Sequence, residues 1–174
     1  MEKSKSHICI VGAAIMDLMG FTEYDIKISD SVPGSWKEAP GGVGRNIAEN
    51  LSRLGFKTNL ITAFGSDPFS QIVIDDAIKT GIDISGSLRV PGEKAATFIA
   101  ILDKDNDLYT GIAALQIIQK IDIPLLQSRQ SILQSAAIVV ADTNIPRESL
   151  LWLAKHQNID QVYLDLVSMK LAEK

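Results

Sequence analysis

The strongest constraint on the fold is an alternation of short apolar runs with segments of helical spacing. The apolar runs lie at residues 7–11, 59–64, 136–141 and 161–166. Strands that are apolar along both faces are typical of a parallel sheet that is covered by helices on both sides. The alternation therefore predicts an α/β fold with a parallel central sheet.

The segments between these runs carry the helix signals. Apolar residues recur at helical spacing over residues 43–54, and Gly55 follows where such a helix ends. A second helix is predicted to run to about Thr80, with Gly65-Ser66-Asp67-Pro68 as its cap and proline in its first turn. Two further helices are predicted at residues 124–133 and 146–156, the latter with Asn144 as its cap.

Two segments do not belong to this alternation. Residues 18–38 show partial alternation of apolar and polar positions around residues 24–28, which predicts exposed strands there. Residues 95–102 and 108–112 flank a polar turn and predict a β-hairpin. We expect these insertions, at approximately 18–39 and 94–113, to form a small sheet beside the main one.

Composition disfavours several classes of binding partner and of site. The net charge of −4 disfavours nucleic acid and anionic membrane as partners, since both select basic surfaces. A single cysteine, Cys9, excludes an internal disulfide, and its apolar neighbours predict a core position. The two histidines lie far apart in the sequence and lack the spacing that is typical of metal ligands. No apolar run approaches the length of a membrane span and no signal-peptide pattern is present, so we expect a cytoplasmic protein.

The most informative stretch is APGGVGRNIAENLSRLG, residues 39–55, in which a helix begins on glycines. Three interpretations are open. The glycines make a tight turn at positive φ. They form a dinucleotide fingerprint, although its third glycine is missing and it does not directly follow the first strand. Or they let a ligand approach the free N–H groups of the helix, with Asn46 adding a donor and an acceptor that suit a polyhydroxyl compound.

Several stretches together resemble one known family. The pattern is a strand followed by Gly12 and Asp17, then PGGVGRNIAENLSRLG, then ITAFGSDPFS, with VPGEKAATFIAILD and VVADTNI further on. This set is similar to the first half of the PfkB (ribokinase-like) carbohydrate kinases. The similarity extends over nearly the whole chain, and the set is more specific than any one of its parts.

The resemblance implies a fold and an activity. The fold is a ribokinase-like, Rossmann-type three-layer sandwich with a small β-sheet lid over the sugar. The activity is transfer of the γ-phosphate of ATP, with Mg²⁺, to a sugar or nucleoside hydroxyl. Agreement is best with members that act on the C-nucleoside pseudouridine, so its 5′-hydroxyl is the expected acceptor.

The resemblance also implies a substrate site. Asp17 matches the family aspartate that binds sugar hydroxyls, and Gly41, Gly42 and Asn46 match the sugar-binding GGxxxN motif. A carboxylate that accepts two hydroxyl hydrogen bonds orients a ribose well. The structural alternatives are that Asp17 caps a turn or helix and that Asn46 caps its own helix.

The resemblance is less specific for other residues. Thr97 lies on the predicted lid hairpin, where it either faces the substrate or packs within the sheet. Lys170 corresponds to a lysine near the substrate if the register holds. Asp67 matches a G-x-D turn that we interpret as structural. Trp36 and Tyr109 either stack on a base or cover the lid.

The sequence departs from the family pattern in two places. Ile15 stands where the family usually has asparagine, which removes one expected polar contact. No GAGD motif, with its anion hole and general-base aspartate, occurs in the 174 residues. We therefore expect the N-terminal, substrate-binding half of a kinase, with the catalytic aspartate beyond residue 174 and this half alone inactive. The alternatives are an inactive sugar- or nucleoside-binding module and a protein that forms a homodimer through its lid.

Overall fold

The computed structural model describes residues 7–27, 29–156, 159 and 161–168. The strands are β1 (His7–Val11), β2 (Ile15–Phe21), β3 (Ser35–Gly41), β4 (Thr58–Ile61), β5 (Ala63–Phe64), β6 (Leu88–Arg89), β7 (Thr97–Leu102), β8 (Leu108–Ala114), β9 (Ala136–Asp142) and β10 (Val162–Asp165). The helices are α1 (Val43–Arg53), α2 (Pro68–Lys79), α3 (Ile123–Ser128), α4 (Gln130–Ser135) and α5 (Arg147–Lys155), with a 3-10 helix at Gln116–Lys120.

The central sheet has the strand order β10-β9-β1-β4, and every neighbouring pair is parallel. Its inner strands are apolar because both faces are covered. Cys9, Val11 and Val139 pack on the face that meets α3, α4 and α5, whereas Ile10 and Leu60 pack on the face that meets α1 and α2. The predicted three-layer sandwich with a parallel central sheet is confirmed. Among the described residues, no helix has the length and apolarity of a membrane span.

A second sheet, the lid, stands beside the central one in the order β3-β2-β7-β8. Strand β2 pairs antiparallel with β3 and parallel with β7, and β7 forms a hairpin with β8. Because side chains alternate across a sheet, residues in register share a face. Asp17, Ala39, Phe98 and Ala113 therefore lie on one face of the lid.

Some predicted boundaries are wrong. Residues 24–27 form no strand, and the lid strands instead lie on either side, at Ile15–Phe21 and Ser35–Gly41. The prediction followed a short alternation, but pairing with β7 places the strand earlier in the chain. The helix predicted at 124–133 is two short helices that meet at Arg129.

The two predicted helix caps had different outcomes. Asn144 does not cap α5, which begins after Pro146 without a side-chain cap. The cap of α2 is confirmed, because the Asp67 carboxylate accepts a hydrogen bond from the Ser70 N–H group at 3.0 Å. Partial burial raises the pKa of Asp67, but hydrogen bonds from Ser70 and Ala95 outweigh it and leave this pKa below its usual value.

Candidate functional site

A pocket of about 270 Å³ lies between the lid and the carboxyl ends of the central strands. Ala13, Asn144 and Val167 contribute to its wall from the loops after β1, β9 and β10. Ligands of open α/β sheets bind at this edge. The other residues of its wall are Ile15, Asp17, Gly42, Val43, Asn46, Phe98, Ala113 and Leu115.

Asp17 places a carboxylate in this pocket from the lid strand β2. Gly41, on the neighbouring strand, makes room for it, since a Cβ at Gly41 would overlap the Asp17 carboxylate. No hydrogen bond joins the carboxylate to another of the described residues. Partial burial raises the pKa of Asp17, and the positive charge of Arg45 opposes this rise. The capping alternative for Asp17 therefore has no support, and its oxygens are available to a ligand.

Asn46 projects into the same pocket from the first turns of α1. Its side-chain Oδ1 accepts a hydrogen bond of 2.8 Å from Nη1 of Arg45. Arg45 is itself buried and held by ion pairs with Glu49, at 2.9 Å, and with Asp76 of α2. Because Oδ1 is engaged, the amide nitrogen of Asn46 is the group left to donate hydrogen bonds to a ligand.

Gly42 lets α1 begin directly against the loop after β1. Its φ of 96° is in the left-handed region, and a Cβ at this position would lie 2.9 Å from the carbonyl carbon of Ala13. The Arg45 N–H group donates to the oxygen of that carbonyl at 3.1 Å. The tight-turn and ligand-approach interpretations of the glycines are therefore compatible, because the turn brings the helix N-terminus to the pocket.

Asp142, which sequence reasoning assigned no role, lies behind the pocket wall at the end of β9. It is fully buried, and its Oδ2 accepts hydrogen bonds from the N–H groups of Ala13, at 2.7 Å, and Gly44, at 2.8 Å. Its Oδ1 accepts from the N–H group of Asn144 at 2.8 Å. Burial raises the pKa of Asp142 above its usual value, and these hydrogen bonds, which favour the ionised carboxylate, oppose that rise. The available signal was an acidic residue directly after an apolar strand.

The structure does not bring Thr97 to this pocket. Thr97 lies on the opposite face of the lid from Asp17, and its hydroxyl donates to the carbonyl oxygen of Ala95 at 3.2 Å. Together with Ile99 it lines a different cavity, of about 760 Å³. Trp36 and Tyr109 are exposed and do not line the Asp17 pocket. Lys170 lies outside the described residues.

Among the described residues, no group of three or more potential metal ligands is found. The N-terminus of α1, where a phosphate could otherwise bind, is already occupied at the Gly44 N–H group by the carboxylate of Asp142. The pocket offers one carboxylate, amide groups and apolar surface, which together suit an uncharged polyhydroxyl ligand.

Comparison with known proteins places the chain in a family. The model of the pfkB family carbohydrate kinases matches residues 5–171. Pseudouridine kinase of Escherichia coli (strain K12) is 34% identical over 166 residues, which are 95% of this chain and 53% of that protein. The chain belongs to the PfkB family of carbohydrate kinases, which are ATP-dependent phosphotransferases.

Solved structures agree on the fold. A carbohydrate kinase from Agrobacterium tumefaciens is 26% identical with a TM-score of 0.83, over 96% of this chain and 55% of that one. The ribokinase of Arabidopsis thaliana, solved with ribose and ATP, has a TM-score of 0.78 at 20% identity, over 94% of this chain and 54% of that one. The fold is therefore ribokinase-like, and the chain spans about half the length of the relatives it matches.

Proposed function

We propose that this chain is the substrate-binding part of a kinase that phosphorylates the 5′-hydroxyl of a ribosyl compound, with pseudouridine as the substrate. The observation that carries the proposal is the Asp17 carboxylate, which faces the pocket with no hydrogen bond to another described residue. A carboxylate beside an amide donor is the arrangement that orients neighbouring hydroxyl groups of a sugar.

A nucleoside fits better than a free sugar for two reasons. The ring of Phe98 lies in the pocket wall on the same lid face as Asp17, and aromatic rings stack on bases. Family membership together with 34% identity to a pseudouridine kinase supports the same substrate. ATP, Mg²⁺ and the catalytic aspartate belong to the proposed activity of the whole kinase, in which the pocket residues would bind and orient the substrate.

Binding and turnover are tested together on the 174-residue chain. We would titrate it with pseudouridine, uridine, adenosine and D-ribose by calorimetry, then add ATP and Mg²⁺ and look for a phosphorylated product. Pseudouridine binding that exceeds uridine binding supports the proposed substrate. Binding without product supports a binding module that needs further residues for catalysis. If none of the four compounds binds, the proposal is wrong.

Replacing Asp17 by asparagine is expected to weaken nucleoside binding by about 10- to 100-fold, because hydrogen bonds to a charged acceptor contribute roughly 1.5–3 kcal/mol. Calorimetric titration of Asp17→Asn against the unchanged chain measures this. The matched control is Asp25→Asn, which removes an exposed carboxylate that pairs with Lys104 at 2.7 Å on the lid. Equal affinities for the Asp17 variant and the unchanged chain would contradict the role given to Asp17.

The same carboxylate predicts a pH dependence of binding. Burial raises the pKa of Asp17 above its usual value, and only the ionised form accepts two hydroxyl hydrogen bonds. Affinity is therefore expected to be constant above this raised pKa and to fall as the pH is lowered through it. Titrations across the acid range would measure the fall. Asp17→Asn should lack it, and a fall of equal size in that variant would assign it to another group.

A second candidate role is self-association through the lid. Trp36 is 66% exposed and Ile112 is 64% exposed, and both lie on the lid face that carries Thr97. Exposed apolar patches of this kind mark interaction surfaces. We propose a second copy of the chain as the partner. Light scattering should show a dimer that Trp36→Glu converts to a monomer, and a monomeric unchanged chain at high concentration would contradict it.

A further inference from the structure

We propose that Asp142 determines which substrates the pocket accepts: its buried carboxylate neutralises the N-terminus of α1, so that the pocket binds uncharged hydroxyl compounds in preference to anionic ones. Asp142 does not line the pocket. It acts through the backbone groups that it holds, those of Ala13, Gly44 and Asn144. The inference rests on the proposed function, because it concerns the same pocket.

The first step concerns the helix end itself. The N-terminus of a helix carries unpaired N–H groups and a partial positive charge, which together attract anions. Helix α1 has no side-chain cap at Gly42 and no acidic residue in its first turn. Its own sequence therefore does nothing to neutralise this end, although the end faces the pocket at Gly42 and Val43.

Asp142 supplies the missing charge from another element. Its Oδ2 accepts a hydrogen bond of 2.8 Å from the Gly44 N–H group in the first turn of α1. The next N–H group, that of Arg45, is engaged by the Ala13 carbonyl oxygen at 3.1 Å. Two of the donors that an anion would need are thus satisfied inside the protein, and a fixed negative charge lies directly behind them.

The residues around Asp142 leave room for its carboxylate and do not cancel its charge. Asp142 is fully buried, and a Cβ on Gly12 would lie 2.8 Å from its Cγ, so only glycine at position 12 leaves room for the carboxylate. Arg45, the cation in this part of α1, does not offset Asp142, because its guanidinium is held by Glu49 and Asp76. A buried carboxylate at this point repels a second anion strongly, because the interior screens charge poorly.

The test is the selectivity between two ligands of nearly equal size, D-ribose and the anionic D-ribonate. Asp142→Asn keeps the shape of the side chain and removes its charge. We expect the ratio of the ribonate Kd to the ribose Kd to fall by about tenfold relative to the unchanged chain. The control is Asp83→Asn, since Asp83 also accepts a backbone N–H bond, from Ser85 at 2.8 Å, but lies outside the pocket.

The outcomes separate the inference from the proposed function. If the role of Asp142 is purely structural, its replacement should weaken the binding of both ligands equally. An unchanged ratio of the two Kd values would therefore overturn the inference alone. If the unchanged chain binds none of pseudouridine, uridine, adenosine and D-ribose, both proposals are overturned. If it binds pseudouridine but not D-ribose, only the inference is overturned, because it requires the pocket to accept the uncharged sugar. If circular dichroism shows that Asp142→Asn is unfolded, Asp142→Ser, which also removes the charge and needs less room beside Gly12, is measured in the same way. A lowered ratio in either variant, with Asp83→Asn unchanged, supports the inference.

Discussion

Replacing Gly42 by alanine is expected to lower the free energy of unfolding by about 3 kcal/mol or more and to abolish sugar binding. At φ 96° an L-residue is strained by roughly 1–2 kcal/mol. The new Cβ would also overlap the carbonyl group of Ala13 and lie 2.9 Å from the Cα of Ala14. Overlap with backbone is relieved only by moving α1 away from the loop after β1, which opens the pocket.

The matched control is Gly55→Ala. Gly55 also has a positive φ, of 87°, but no atom lies within 4 Å of a Cβ built there. In this variant the free energy of unfolding should fall only by the cost of placing an L-residue at positive φ, about 1 kcal/mol. Sugar binding should be unchanged. Urea denaturation and calorimetric titration of both variants measure the difference. If Gly42→Ala were no less stable than Gly55→Ala, the close contact between α1 and the Ala13 loop would be wrong.

The central sandwich was predictable because its signals are local and repeated. Strand β1 is apolar after His7, and α1 combines helical spacing with a glycine just past its end, so sequence and tertiary structure agree. The prediction failed where pairing with a distant segment decides the position of a strand. Strand β2 lies at Ile15–Phe21 because it pairs along its length with β3 and β7, whereas the local alternation pointed to residues 24–28.

The site was predictable only in part. Asp17, Gly42 and Asn46 followed from motif resemblance, and the structure brings all three to one pocket, although their role in binding remains a prediction. The position of Thr97 on the other face of the lid depends on β-sheet register, which a single sequence does not specify. An acidic residue at the end of an apolar run marks Asp142, but its hydrogen bond from Gly44 spans 98 residues of sequence, and no local pattern specifies that partner.

Replacing Arg45 by methionine is expected to lower the free energy of unfolding by about 2–3 kcal/mol and to weaken sugar binding by about tenfold. The Arg45 side chain is 5% exposed and joins α1 to α2 through Asp76, so its loss leaves carboxylates without their partner. The cost is below that of a fully buried pair, because the side chains of Asp76 and Glu49 are 32% and 18% exposed. Thermal unfolding should show a melting temperature lower by about 5–10 °C.

Two further variants separate the two effects of Arg45. Arg53→Met removes an exposed guanidinium that pairs with the same Glu49 at 2.6 Å, and it should cost no more than about 0.5 kcal/mol. Asp76→Asn weakens the link between α1 and α2 but keeps the bond from Arg45 to Oδ1 of Asn46. It should therefore lower stability while leaving sugar affinity unchanged. If Asp76→Asn weakened binding as much as Arg45→Met, Arg45 would act on the pocket through helix packing and not by orienting the amide of Asn46.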